Sequence, residues 1–348
     1  MNKPTLRHKK WAAVSDKDWS SWTWQLQNKI ETLADLEEIA KLDPDFSFDP
    51  EDVRKTQTDF NFAITPYYFS LMNLKDIECP IRLQCLPSSR ENVSLDYELL
   101  DFPKEDSMMP VPGLTHRYPD RVMLYTTHHC AMYCRFCTRK RKVSDASTAL
   151  RGQQIEAALK HIAATKTIRE VILSGGDIFS FSDRQLDELL TKVRAIDHVE
   201  IVRLGTRNLV TLPFRVTPEL VAVLKKHQPL YIHTHFNHPE ECSAEAATAC
   251  KALRKAGCVV NNHTVILKGV NNEQKTLQEL NSKLIPMGVQ PYYFYHCDLT
   301  FGSSHFRTKI EDDLKLIRGL HAEIDWHQEI TMSHYMVDTP GGGKVELV

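Results

Sequence analysis

Residues 121–137 read Arg121-Val-Met-Leu-Tyr-Thr-Thr-His-His-Cys130-Ala-Met-Tyr-Cys134-Arg-Phe-Cys137. The first seven are β-branched, aromatic or apolar enough to predict a strand, and three cysteines follow it within eight residues. Downstream, further strand-like runs at 169–176, 199–206, 230–236, 258–269, 290–298 and 330–338 alternate with amphipathic helical runs at 153–164, 183–196, 218–227, 244–257, 273–288 and 310–324. That alternation predicts parallel βα units, too many for most small doubly wound sheets. The expected fold is α/β, a full or partial (β/α) barrel. Barrels of this kind place their chemistry at the C-terminal strand ends. There this chain carries His128 and His129, Ser174 to Asp177, Gly205 to Arg207, His235 to His238, His263, Asp298 and Asp338.

Upstream, apolar positions at helical spacing over 15–41 predict an N-terminal helical region, with Ser15 and Asp16 as candidate caps. Proline and aspartate clusters interrupt every periodic run from about 43 to 120, so short helices and loops are expected there. The chain divides on this reading into an appendage, 1–110, and a barrel core, 111–348.

The bulk numbers narrow the function. The chain has 348 residues, with 43 basic against 45 acidic side chains and a formal charge of −2. That balance gives no reason to expect nucleic acid or an anionic membrane as partner, and suits a small charged or zwitterionic substrate. No apolar run approaches the roughly 20 residues of a membrane span, and no apolar h-region follows the basic N-terminus. A cytoplasmic protein is expected. Nine cysteines, an odd count with three crowded together, fit thiolate chemistry in a reducing compartment better than a disulfide framework.

Cys130, Cys134 and Cys137 can converge from one loop, but three ligands leave a metal centre one short. A structural zinc takes four protein ligands, whereas a four-iron cluster on three cysteines keeps one iron open. A reduced thiol group, or a zinc completed by His128 or His129, is the alternative reading.

The C-x3-C-x2-C spacing straight after the first barrel strand resembles the radical S-adenosylmethionine superfamily, whose open iron chelates the amino and carboxylate groups of S-adenosyl-L-methionine. The resemblance implies a [4Fe-4S] cluster on the three cysteines. It also makes Ser174, Gly175, Gly176 and Asp177 a GGD-like motif against the methionine amino group. The flanking text narrows the likeness. The stretches SDKDWSSWTWQLQNKIET, AITPYYFSL, PVPGLTHRYPDRV, CAMYCRFCTRKRK, LSGGD, RVTPEL, THFNHP, ILKGVN, PYYFYHCDL, HFRT and VDTPGGGK are similar to the lysine 2,3-aminomutase family, from about residue 15 to Lys344.

That resemblance implies pyridoxal 5′-phosphate held as a Schiff base by Lys344, with Arg117, Tyr118 and Arg121 on its phosphate. It places His235 beside S-adenosyl-L-methionine and Arg139 on the substrate α-carboxylate. Asp298 and Asp338 would hold a side-chain ammonium, and two anions in one pocket call for a cation such as lysine's. The implied activity is an isomerase interconverting L-lysine and β-lysine through a 5′-deoxyadenosyl radical and amino migration on the pyridoxal aldimine, with an electron donor such as flavodoxin or ferredoxin. Rival readings are an aminomutase for arginine or ornithine, the lysine aminomutase linked to elongation factor P, and an inactive metal-binding homologue. The chain departs from the family pattern at three points. Three glycines precede Lys344 instead of four, His263 stands where glutamine near the cofactor is typical, and Phe136 replaces a common histidine. Asn272 or Glu273 takes the place of a zinc cysteine and the chain ends at Val348, so no zinc is expected and a homo-oligomer stays open.

Overall fold

The computed structural model describes residues 6–93, 95–143, 145, 150, 152–322 and 333–348. Each of the seven strand-like runs contains a strand: β2 (Arg121–Thr127), β3 (Glu170–Gly175), β4 (Ile201–Gly205), β5 (Leu230–Thr234), β6 (Val259–Val265), β7 (Gln290–Tyr295) and β8 (His334–Asp338). Of the run at 330–338, residues 330–332 lie outside the described residues, as do 323 and 324 of the last helical run. Two strands escape the sequence reading, β1 (Leu114–Tyr118) and β9 (Lys344–Glu346). Loops and short helices were expected around β1, and no strand after 338. Both are corrected by antiparallel pairing: β1 folds back on β2 and β9 on β8, while β2 to β8 run parallel in sequential order.

Parallel neighbours need crossovers, and the helices Gly152–Ala164, Asp183–Arg194, Pro218–Lys226, Ala244–Lys255, Gln274–Met287 and Ile310–Ala322 supply them. Their starts are chemically marked. Ser182 and Gln185 form a capping box at Asp183, Thr217 caps a helix opening on Pro218, and Ser243 bonds the amide of Ala246. Alternating strand residues explain the two faces. Val122, Leu124, Val171, Leu173, Val202, Leu204, Leu230 and Ile232 are buried and join the core, leaving Arg121, Met123, Ile172, Ser174 and Arg203 on the opposite, partly open face.

The ladder order ends at β1 and β9. Side chains join these edges: Arg117 on β1 grips Asp338 at the end of β8 and the carbonyl of Gly342, and the amide of Lys344 donates to the Tyr118 hydroxyl at 3.1 Å. The sheet is thus a partial barrel closed at its mouth by an ion pair.

The N-terminal region consists of short helices, Asp16–Trp19, Trp22–Gln27 and Leu33–Leu42 among them, and Ser15 caps the first by accepting from the Asp18 amide at 3.1 Å. One apolar cluster runs from Trp11 through Tyr67, Tyr68 and Phe69 to Val289, so this region and the barrel share a core. Each fully buried aromatic there contributes on the order of 2 kcal/mol from burial. Among the described residues no helix is long and apolar enough to cross a membrane.

Candidate functional site: a cysteine loop and a lysine at the barrel mouth

The cysteine loop leaves the C-terminal end of β2 and is welded to the end of β3. The amide of Gly176 donates to Thr127 at 2.6 Å and that of Asp177 to His129 at 2.8 Å. A Cβ on Gly176 would lie 2.4 Å from the His129 carbonyl oxygen, so only glycine permits this approach. Asp177 is buried and accepts from Thr206 Oγ1, the Arg207 amide and the Phe179 amide at 2.7, 2.7 and 2.9 Å. The Ser174 to Asp177 turn therefore ties the cysteine loop to the loop after β4.

All nine cysteines are free, and Cys130, Cys134 and Cys137 are half-buried. Burial, then the neighbouring Asp177 and the other two sulfurs, raises the Cys130 thiol, and burial with Cys134 pushes Cys137 up to about 11. Arg207 Nη1 donates to Cys134 Sγ at 2.9 Å and the Arg139 amide to Cys137 Sγ at 3.4 Å. Among the described residues no three His, Cys, Asp or Glu side chains close on a single metal ion. A guanidinium on Cys134 and an amide on Cys137 offset thiolate charge, which fits a cluster held by three cysteines.

Across the mouth, residues 339–343 form a tight turn. Thr339 Oγ1 donates to the Gly343 carbonyl at 2.7 Å, Gly341 has φ +70°, and a Cβ on Gly342 would meet Thr339 Oγ1 at 2.3 Å. The glycine run is thus a hairpin turn, and it sets Lys344 opposite Asp338 in register. Lys344 is exposed as a residue, yet its Nζ donates to the Tyr295 hydroxyl and lies 4.3 Å from that ring's centroid. Burial of the amine, opposed by Asp338 and Asp298, brings it down to about 8. A fraction of free amine at neutral pH is what condensation with an aldehyde needs.

The proposed phosphate group is only partly assembled. The Arg121 guanidinium lies 4.5 Å over the Tyr118 ring, and its buried Nε, 3.4 Å from Asp120, makes no hydrogen bond. Arg117, by contrast, is spent on Asp338 (3.1 and 2.5 Å) and on the Thr339 carbonyl (2.6 Å). An orphaned guanidinium nitrogen and a phenol beside the inward lysine fit a phosphate-bearing aldehyde.

His235 Nδ1 lies 2.7 Å from the His263 carbonyl, and His263 Nε2 lies 2.6 Å from His233 Nδ1. Burial first, then nearby cations, pushes His233 down to about 3 and His235 to about 4, so both imidazoles are neutral. His263 also stacks on Tyr292, with ring centroids 5.8 Å apart.

Asp298, just past β7, is half-buried as a residue. Enclosure of its carboxyl and the charge of Asp338 push it up to about 7, against the pull of Lys344, Arg117 and Arg139. Among the described residues no donor bonds that carboxylate. Arg139 is held bidentately by Glu105.

Sequence reading missed Glu105 and Tyr295, and placed Arg207 at a strand end without giving it a role. Arg207 and Tyr295 stand at strand ends where polar side chains signal function. Glu105 lies in a proline-broken stretch with no such signal.

The fold and the cysteine loop define a class, and the sequence model of the Radical SAM superfamily matches residues 124–280. An L-lysine 2,3-aminomutase of Fusobacterium nucleatum is 44% identical, over 99% of this chain and 79% of its own length. One of Clostridium subterminale is 43% identical, over 97% and 80%. A glutamate 2,3-aminomutase of Clostridioides difficile is 36% identical, over 96% and 78%. The chain belongs to the lysine 2,3-aminomutase family. It is a radical isomerase that acts on amino acids, and its cofactors are a [4Fe-4S] cluster, S-adenosyl-L-methionine and pyridoxal 5′-phosphate.

Proposed function

We propose that this chain interconverts L-lysine and β-lysine, and that its own residues choose lysine. Family membership alone leaves the substrate open, since the family includes the glutamate enzyme of Clostridioides difficile. The observation that carries the choice is the pair of carboxylates at the mouth. Asp298 and Asp338 act on each other and on Lys344, and burial with the charge of Asp338 holds Asp298 up at about 7. An ammonium arriving there shifts Asp298 to its anion and takes up the deficit, whereas a substrate carboxylate is repelled.

When bound, the cluster with S-adenosyl-L-methionine supplies hydrogen-atom abstraction, and pyridoxal phosphate supplies delocalisation for the migrating nitrogen. The protein's part is placement. Cys130, Cys134 and Cys137 hold the cluster, with the Ser174 to Asp177 turn and His235 on the S-adenosyl-L-methionine side. Lys344 presents its amine from β9, held by Tyr295, with Arg121 and Tyr118 on the phosphate. His263, braced by His233, faces the same lumen. Arg139 takes the substrate α-carboxylate at one end, and Asp298 takes the ammonium at the other. Asp338 is shared: Arg117 and the Thr339 amide already occupy part of its four acceptor sites, leaving room on Oδ2. Arg117 thereby orients Asp338 and stands one step removed from the phosphate. An electron donor such as flavodoxin or ferredoxin serves the cluster, in the cytoplasm.

Asp298→Asn tests the reading of the ammonium. Deleting one partner of a buried charged pair costs roughly 2–5 kcal/mol, so lysine kcat/KM should fall by at least about tenfold. S-adenosyl-L-methionine binding should stay as in the parent. Asp338→Asn should lose as much or more, because Arg117 also loses its partner. Parent-like lysine kinetics in both variants would show that these carboxylates do not read the ammonium.

A further inference from the structure

The side chain assigned to the substrate carboxylate already carries a carboxylate. Arg139 Nε donates to Glu105 Oε2 and Oε1 at 3.0 and 3.1 Å, and Nη2 to Oε1 at 2.5 Å. This is the side edge of the guanidinium. Nη1 takes no part in it, and Nη2 spends its second hydrogen on Met123 Sδ at 2.9 Å. A thioether is a weak acceptor, so a carboxylate meeting the end edge gains Nη1 and displaces only that sulfur from Nη2.

Glu105 is itself rigidly placed. It is 4% exposed, and its amide donates to Asp101 Oδ1 at 3.1 Å while the Asp106 amide donates to Asp101 Oδ2 at 3.0 Å. Lys104 just before it has φ 54°, unusual for a residue with a Cβ and sustained only where surroundings dictate it. The same loop takes up Arg141 and Lys142, while Lys140 pairs with Glu91 at 3.1 Å. Arg141 pairs with Asp101 at 2.8 Å and with Asp106 at 3.2 Å, and Lys142 with Asp106 at 2.5 Å. Arg139, Arg141 and Lys142 are therefore laced to the 101–106 loop instead of solvated.

We propose that Glu105 is a positioning residue for substrate recognition: it fixes the guanidinium plane of Arg139 so that the end edge meets the amino-acid α-carboxylate in one orientation. This rests on the reading of Arg139 as the carboxylate-binding group. The charge consequence supports it. A lone guanidinium at the mouth would hold any small anion, whereas an Arg139 already neutralised by Glu105 gains only from a ligand whose carboxylate matches the remaining edge and whose other end reaches Asp298. The loop thus converts an attractive charge into a directional contact, and links the register of the cysteine loop, through the Arg139 amide on Cys137, to the substrate's register.

The test uses reconstituted holoenzyme, with steady-state kinetics for lysine and for S-adenosyl-L-methionine on the parent, Glu105→Gln, Glu105→Asp and Arg139→Lys. Freeing Arg139 from its charged partner should raise the lysine KM about tenfold, the order of one charge-assisted contact, with kcat changed much less. The KM for S-adenosyl-L-methionine and the iron content should match the parent. Glu105→Asp, which keeps the charge but shortens the reach, should recover part of the lysine KM, and it carries the test should Glu105→Gln prove insoluble. An unchanged lysine KM in the Glu105 variants, beside a raised one in Arg139→Lys, overturns the positioning role alone. So does an equal rise in both substrates' KM, which would mark Glu105 as a scaffold residue. An unchanged lysine KM in Arg139→Lys instead removes the assignment of Arg139, and the proposal with it.

Discussion

Cys134→Ala protein, reconstituted anaerobically, should hold less iron per chain than the parent and form no 5′-deoxyadenosine from S-adenosyl-L-methionine. A two-thiolate loop cannot retain a site-differentiated cluster. Cys134 is also the sulfur against which Arg207 packs, and Arg207 is anchored by Gln84 at 2.6 Å, Glu241 at 2.9 Å and the His235 carbonyl at 3.0 Å. That network does not need the sulfur to stay together, so the variant should remain folded and soluble. Circular dichroism, iron content and 5′-deoxyadenosine would be measured on one preparation. Unchanged iron per chain in the variant would remove the cluster assignment.

The second large effect falls on Lys344. Borohydride reduction of the parent followed by peptide mapping should place the pyridoxyl label on Lys344, and Lys344→Ala should carry no label and show no lysine turnover. The warrant is local: the amine turns into the mouth on the Tyr295 hydroxyl and is lowered to about 8 by burial, with Asp298 and Asp338 alongside. The shortened glycine run does not expel it, because the turn is closed by Thr339 and β9 pairs in register with β8. A label on any other lysine would sink the assignment.

The strands were legible where packing is simple. β2 to β8 are covered by helices, so buried apolar residues recur along them and the pattern stands out against polar turns. β1 and β9 gave no such pattern. The first, Leu-Thr-His-Arg-Tyr, sits between proline-rich turns, and the second is three exposed residues that pair only because the preceding turn folds them back. Both are antiparallel additions dictated by tertiary closure, beyond the reach of local propensity.

The same distinction runs through the site. The cysteines announce themselves because their spacing is local in sequence, whereas the Ser174 to Asp177 turn and Lys344 were named through the family resemblance. Glu105, Arg207 and Tyr295 matter through contacts 34, 73 and 49 residues away, and nothing near them in the chain points to those partners. Arg117 and Asp338 show the limit most clearly. Residue by residue they were assigned to a phosphate and to an ammonium, yet 221 residues apart in sequence they form one bidentate pair that joins β1 to the end of β8.

Product analysis tests the central claim most directly. Holoenzyme reconstituted with iron, sulfide and pyridoxal phosphate would be incubated with S-adenosyl-L-methionine and a strong reductant, and offered lysine, arginine, ornithine, glutamate and alanine in separate reactions. The account predicts β-lysine from lysine, faster than any β-amino acid from the others. A preference for glutamate or alanine, or no turnover of lysine by protein that holds both cluster and pyridoxal phosphate, would contradict it.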